Sequence, residues 1–311
     1  MNYKKADRNL IIMIGSGVAA FLLIVIAILY FNYTNGMSYK LGKVGYKKAD
    51  ANVIIDKLSS AQLKIVLAND YIKELGSILK DDYYIKANLE RYISYANDSE
   101  DTSAGEVVAL VNTDNDKGFY ENIEQTDTAE GKLMIVNKHY GLTSNYVPDD
   151  LVTVAATYAY EGISLSQEAY TAVISLFKAA KSAGYTLIID TGYRSYQRQQ
   201  DAYDRWLSRE DEESADAYVA HAGHSEHQTG LAFNLQVLPN DYDEFATTAA
   251  YTWLVNNAHK YGFILRYPEG KEAITGFKYE SSHFRYVGVD VATEIKDLNI
   301  TFDEYYAFNL K

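Results

Sequence analysis

HAGHSEHQTGLAFNLQVL, residues 221–238, puts three histidines into seven positions and then runs into an alternating apolar stretch. His221, His224 and His227 have the density of a metal site. The next polar residue at ligand-like spacing is Asn234, a neutral amide where a metal favours a carboxylate. LAFNLQVL alternates as a half-buried strand does. The stretch therefore poses a choice between a working metal centre and the remains of one.

Outward from this stretch the texture is that of a mixed helix-and-strand domain. SLSQEAYTAVISLFKAAKSAG, residues 164–184, reads as an amphipathic helix with a serine entry and a Gly184 stop. YTLIIDTGYRS follows as a strand that ends in a polar corner, and residues 195–219 read as charged helix. Beyond the quoted stretch, TAAYTWLVNNAHKYG reads as a helix ending at Gly262 and FILRYP as a strand. FKYESSHFRYVG is then the last strand before a terminal helix over 290–297. Upstream, KLMIVN and VVALVNT (107–113) read as strands, and SNYVPDDLV as a turn. NDSEDTSAGE, residues 97–106, is acidic and aperiodic, a linker. Residues 38–98 carry apolar side chains at three- and four-residue spacing, as in Leu63, Val66, Leu67, Tyr71, Ile72 and Leu75. They read as a small helical stalk or spacer, with Ser59 or Ser60 as a cap and Gly76 or Asp81–Asp82 as a break.

The chain has 311 residues and no cysteine, so disulfides, thiolate nucleophiles and thiolate-ligated metals are excluded. Any metal must be held by His, Asp, Glu or Asn. Residues 10–31 carry no charge over 22 positions, enough to cross a ~30 Å bilayer core as a helix. Lys4, Lys5 and Arg8 precede the run and no A-x-A cleavage pattern follows it. The expectation is an uncleaved signal anchor, with residues 1–9 inside and the remainder outside the cell membrane. Lys40, Lys43, Lys47 and Lys48 weaken the charge asymmetry. Lys4, Lys5 and Arg8 against Asp7 leave the first 31 residues at +2, so the rest carries −15 of the net −13. So acidic a body has no attraction for nucleic acid phosphates.

Four segments carry reactive side chains: TGYRSYQRQ, GHSEHQTGLAFN, LRYP and YESSHFRYVG. None matches a phosphate loop, a serine elbow or an HExxH helix. They do offer His227, then His283 with Glu280 three residues before it. Two histidines, an oxygen ligand and an unliganded glutamate would make a hydrolytic zinc site with one open position. Arg194, at a strand end, is placed to hold an anionic substrate group.

Taken in order, VNTDNDKGFY, VNKHYGLTSNYVPDDLV, TGYRSYQRQ, AGHSEHQTGLAFN, NAHKYGFILRYPEGKEAITGFKYE and HFRYVG resemble the VanY-like D-alanyl-D-alanine carboxypeptidases. These are zinc peptidases of the lysostaphin/D-Ala-D-Ala metallopeptidase/hedgehog fold. The resemblance covers about residues 107–308. It implies an α+β domain over 107–311, an antiparallel sheet with packed helices, preceded by the transmembrane helix and the small helical region. It implies zinc, Zn2+, held by the histidine of SxHxxGxAxD at His227, by the position of its aspartate at Asn234, and by His283. Glu280 of ExxH is implied as catalytic base, Arg194 as the group that polarises the scissile carbonyl, and Ser225 as a contact for the terminal carboxylate. The implied substrates are peptidoglycan stem peptides ending in D-Ala-D-Ala. His221, His224 and His259 match no ligand of the family and read as hydrogen-bonded or solvated histidines.

Three departures cluster at the site. Asn234 replaces the ligand aspartate, Ser282 stands where the family's ExWH has tryptophan, and His221–Ala222 replace an Arg-Pro lead-in. The amide brings no negative charge, and the serine removes an aromatic wall. Two readings follow: a membrane-anchored zinc carboxypeptidase of weakened activity, or a non-catalytic relative that binds cell-wall peptides or regulates wall enzymes.

Overall fold

The computed structural model describes residues 21–32, 35–99, 101–238 and 242–311. The first half of the apolar run over 10–31 lies outside the described residues. Its second half forms helix α1 (Phe21–Asn32), with Phe21, Leu23, Ile26 and Leu29 exposed. Among the described residues no single helix is long and apolar enough to cross a membrane. Helix α1 and α2 (Met37–Val44) meet that criterion only as a pair, bent by 58°.

The chain divides into two compact units, Met1–Val108 and Ala109–Lys311. In the first, α2 is followed by α3 (Lys48–Lys57), α4 (Ser60–Ala68), α5 (Leu75–Ile78) and α6 (Leu89–Asp98). These short helices gather Leu41, Ile54, Val66, Leu75, Leu89 and Ile93 into one apolar core. Ser59 makes the cap: its hydroxyl accepts from Gln62 N, and Gln62 Oε1 accepts from Ser59 N at 3.2 Å. The helix it starts already ends at Asn69, ahead of both Gly76 and the aspartate pair.

VVALVNT is helical rather than extended. It belongs to α7 (Ala104–Asn112), which Ser103 starts by accepting from Glu106 N. Residues 107–111 are all buried. A short apolar run closed in on every side carries no period, so the cap decides its conformation. KLMIVN is no strand either: Asp127 caps a 3-10 turn over Thr128–Leu133, and the chain then runs on without a ladder. The carbonyls of Lys132 and Met134 accept instead from the Arg285 guanidinium, at 3.0 and 2.9 Å. A buried side chain has taken the place of a neighbouring strand.

Two short pairings precede the main sheet. β1 (Glu124–Gln125) runs parallel to β2 (Tyr140–Gly141), and β3 (Leu151–Thr153) antiparallel to β4 (Ser164–Ser166). Helix α8 (Gln167–Ser182) starts at Ser166, whose hydroxyl accepts from Ala169 N, and buries Ala169, Val173, Leu176, Phe177 and Ala180. That spacing is one stripe of a 3.6-residue helix. Next come β5 (Thr186–Thr191), α9 (Tyr196–Leu207), α10 (Glu212–Tyr218), β6 (Ala232–Leu238), α11 (Ala249–Asn257), β7 (Phe263–Tyr267), α12 (Glu272–Thr275) and β8 (Glu280–Tyr286). The sheet order is β5-β6-β8-β7, with every neighbouring pair antiparallel.

Alternation along the two central strands separates core from site. Phe233, Leu235, Phe284 and Tyr286 enter the core with α8 and α11, where Phe233 packs edge-on against Phe263 at 5.2 Å. Asn234, Gln236, His283 and Arg285 therefore point to the opposite face. Two helices cover part of that face. α13 (Val289–Leu298) was expected; α14 (Phe302–Asn309) was not, and it adds Phe302, Tyr305 and Tyr306 to a second cluster with Ile264 and Val287.

Candidate active site

The turn that delivers His227 is built on two glycines. Gly223 has φ 89°, and a Cβ there would lie 2.7 Å from Leu142 O. Gly230 has φ 68°, and its Cβ would meet Leu151 at 2.9 Å. Neither backbone conformation nor space admits a side chain. Between them Glu226–Thr229 form a fully buried 3-10 turn. Its strand continuation places Asn234 directly opposite His283 in the β6–β8 ladder, while Tyr267 pairs with Glu280 in the β7–β8 ladder.

The structure brings Arg194, Ser225, His227, Asn234, Glu280 and His283 to the wall of one cavity of about 350 Å³. The His227 and His283 rings stand 4.9 Å apart, edge to face. His227 Nδ1 lies 2.9 Å from Gly192 O, which leaves its Nε2 to the cavity. His283 Nε2 is buried without a hydrogen bond and faces Glu226 Oε2, also without one, at 3.7 Å. Its Nδ1 lies 3.7 Å from Glu280 Oε2. His227 thus has its outer nitrogen bonded to a carbonyl, the contact that orients imidazole ligands of metals, while His283 lies between two carboxylates, each 3.7 Å away. Burial, then the charge of Arg194, holds His227 well below the usual histidine range, so its ring is neutral.

Asn234 is tied into this face. Its Nδ2 donates to Glu280 Oε1 at 2.5 Å and to Ser282 Oγ at 3.1 Å. The carboxylate acceptor fixes which end of the amide is nitrogen. Oδ1 is then buried with no partner. An orphaned amide oxygen beside two imidazoles fits a divalent ion, as a neutral donor set in which Asn234 supplies no charge. Among the described residues no group of three or more His, Cys, Asp or Glu could hold a metal. Ser282 has a task here, as an acceptor for Asn234. The cavity keeps an aromatic side through Tyr267, Phe277 and the Trp206–Tyr218 stack, whose rings lie 5.5 Å apart.

Arg194 is positioned twice over. Its backbone N–H donates to His227 O at 3.0 Å, and its guanidinium donates to Gln199 Oε1 at 3.0 Å. Gln199, almost fully buried, in turn donates to Ala220 O at 2.7 Å. Ser225 is buried and makes no helix cap, so its hydroxyl is available to the cavity.

Sequence reasoning missed Gln199 and also the buried charge cluster behind His283. Glu226 Oε1 accepts from Arg266 Nε at 2.7 Å and from Arg285 at 2.9 Å. Arg266 also donates to both oxygens of Asp303, at 2.6 and 3.2 Å. Burial alone would raise the Glu226 pKa, but the two guanidinium groups reverse this and hold it far below the carboxylate range. Two arginines balance two carboxylates, so this buried cluster carries no net charge. The only sequence signal was that LRYP and HFRYVG keep an arginine inside an apolar strand.

Two histidines outside the ligand pattern are held by hydrogen bonds, whereas His259 Nδ1 is buried without a partner among the described residues. His221 Nε2 lies 2.8 Å from Asp216 and its ring stacks on Tyr120 at 3.7 Å. His224 Nδ1 lies 2.7 Å from Asn137 O.

The VanY D-alanyl-D-alanine carboxypeptidase family profile matches residues 162–289. YodJ of Bacillus subtilis is 41% identical over 199 residues, 62% of this chain and 73% of that protein. A D-alanyl-D-alanine carboxypeptidase of Enterococcus faecalis is 32% identical over 191 residues, 58% and 68% of the two chains. The chain belongs to the VanY family. Among solved structures, that of the LD-carboxypeptidase LdcB is 40% identical with a TM-score of 0.57, over 60% of this chain and 91% of that one. The matched relatives are named as D-alanyl-D-alanine and LD-carboxypeptidases, and in this chain His227, His283, Glu280 and Arg194 line one cavity.

Proposed function

We propose that the protein is a membrane-anchored, extracellular zinc peptidase that removes the terminal D-alanine from peptidoglycan stem peptides ending in D-Ala-D-Ala, with activity weakened by its uncharged ligand. The reading is carried by one observation. His227 is oriented by Gly192 O, His283 stands edge to face with it, and Asn234, with its unpaired Oδ1, and Glu280 line the same cavity. His227, Asn234 and His283 would hold the ion, and zinc bound there supplies Lewis acidity toward the scissile carbonyl and toward water.

The chain's own groups do the rest. Glu280 Oε1 is engaged by Asn234, so Oε2 is the oxygen free to take a proton from the attacking water and to pass it to the leaving amine. Arg194, fixed by Gln199, faces the carbonyl oxygen on which charge develops. Ser225 binds the terminal carboxylate. The Asn234–Glu280 contact also favours a second reading, a peptide-binding relative without turnover, because it draws on the base itself. Release of D-alanine from a pentapeptide ending in D-Ala-D-Ala decides between them. Zinc-stimulated, chelator-sensitive release is expected; peptide binding with no release in either condition assigns the second reading.

The anchor reading rests on the uncharged run over 10–31 and on the exposed apolar side chains of α1. Protease added to spheroplasts is expected to digest the domain from Ala109 onward. A C-terminus protected until lysis would reject the orientation.

A further inference from the structure

A second cavity, of about 490 Å³, adjoins the first and shares Thr191 and Arg194 with it. Along α9 it is lined by Arg198, Ala202 and Arg205, spaced four and three residues apart and so in one stripe of the helix. Neither Arg198 nor Arg205 has a carboxylate within 4.0 Å among the described residues, in a chain with 42 acidic side chains. Both exert their charge on Arg194, lowering its pKa after burial has done so. Arg198 also sits in the first turn of α9, which carries no acidic residue, where the helix dipole disfavours a cation. Two carboxylates line the same cavity: Asp190, which accepts from Gln236 at 2.7 Å, and Glu161. Three guanidinium groups, a helix N-terminus and open volume converge beside the reaction site at a cost in local electrostatics. An arrangement of this kind is suited to an anionic ligand.

We infer that this cavity is a subsite for a carboxylate carried by the substrate peptide upstream of the scissile bond, read by Arg198 and Arg205. The inference rests on the proposed function, since it assumes that a peptide occupies the adjoining cavity. It makes the protein selective for acidic stem peptides over the same peptides amidated at that carboxylate. Neither arginine takes part in the chemistry, and among the described residues neither side chain makes a hydrogen bond or ion pair.

The test is titration of the full chain with two pentapeptides ending in D-Ala-D-Ala. One carries a free α-carboxylate on its γ-linked D-glutamate, and the other is amidated there. The acidic peptide is expected to bind about 3- to 30-fold more tightly at low salt. The preference shrinks as ionic strength rises, and Arg198→Ala/Arg205→Ala removes it while leaving the amidated peptide's affinity unchanged. Equal affinities in the wild type, or a preference that survives the double substitution, would overturn the subsite and leave the proposed function standing. No binding of either peptide would overturn the proposed function and the subsite with it. Inorganic phosphate displacing both peptides equally would give the cavity to phosphate-bearing wall polymers and overturn the assignment to a peptide carboxylate.

Discussion

Glu280→Gln is expected to lower D-alanine release by ~10²–10⁴-fold, the usual contribution of a general base, with zinc content and peptide affinity nearly unchanged. The substitution is isosteric, and the glutamine oxygen can still accept from Asn234, so the 2.5 Å contact that ties β6 to β8 survives. What disappears is the proton acceptor at Oε2, which faces His283 Nδ1 at 3.7 Å. Single-turnover release with zinc supplied, beside binding of the uncleaved peptide, separates the two effects. Chelator-sensitive release that persists in the variant would remove Glu280 from the role of base.

Asn234→Asp is expected to tighten zinc binding by more than the ~10–100-fold typical of outer-shell changes, because it adds a charge at a ligand position. The metal-free variant has a further signature. Its new carboxylate lies within hydrogen-bond distance of Glu280, and two carboxylates that close cannot both ionise without cost. The variant without metal is therefore expected to melt below the wild type, and zinc to raise its melting temperature well above the wild-type shift. A ligand present at 100 times its Kd adds ~2.7 kcal/mol to stability. Carboxypeptidase release should rise with occupancy. Unchanged zinc content in the variant would mean that position 234 does not face the ion. Gained zinc without gained release would place the defect at Ser282, which accepts from the same amide in the wild type, or in a closed pocket.

The strands around the site were legible because their patterns are local. LAFNLQVL alternates and FKYESSHFRYVG reads as a strand, and both strands appear within those stretches, at Ala232–Leu238 and Glu280–Tyr286. Gly184 and Gly262 stop their helices with φ of 96° and 84°. α14 was legible in principle: Thr301 and Glu304 form a reciprocal capping box, a spacing visible in TFDE. VVALVNT and KLMIVN were not, since an apolar run shows no period when every side is buried and a guanidinium can satisfy backbone carbonyls as a strand would.

By itself the sequence offered the candidate donors, His227, Asn234 and His283, the glutamate and arginine beside them, and an uncharged side chain at position 234. Those are properties of residue identity and order. Only the tertiary structure decided what the asparagine does. Its amide nitrogen is spent on Glu280 and Ser282, which leaves its oxygen buried and unpaired. Only the fold could seat Glu226 behind His283, because that carboxylate is tolerable in the interior solely through arginines 40 and 59 residues away in sequence. Pairings across such distances leave no period in a chain; they arise when the sheet closes and each buried charge must find its partner.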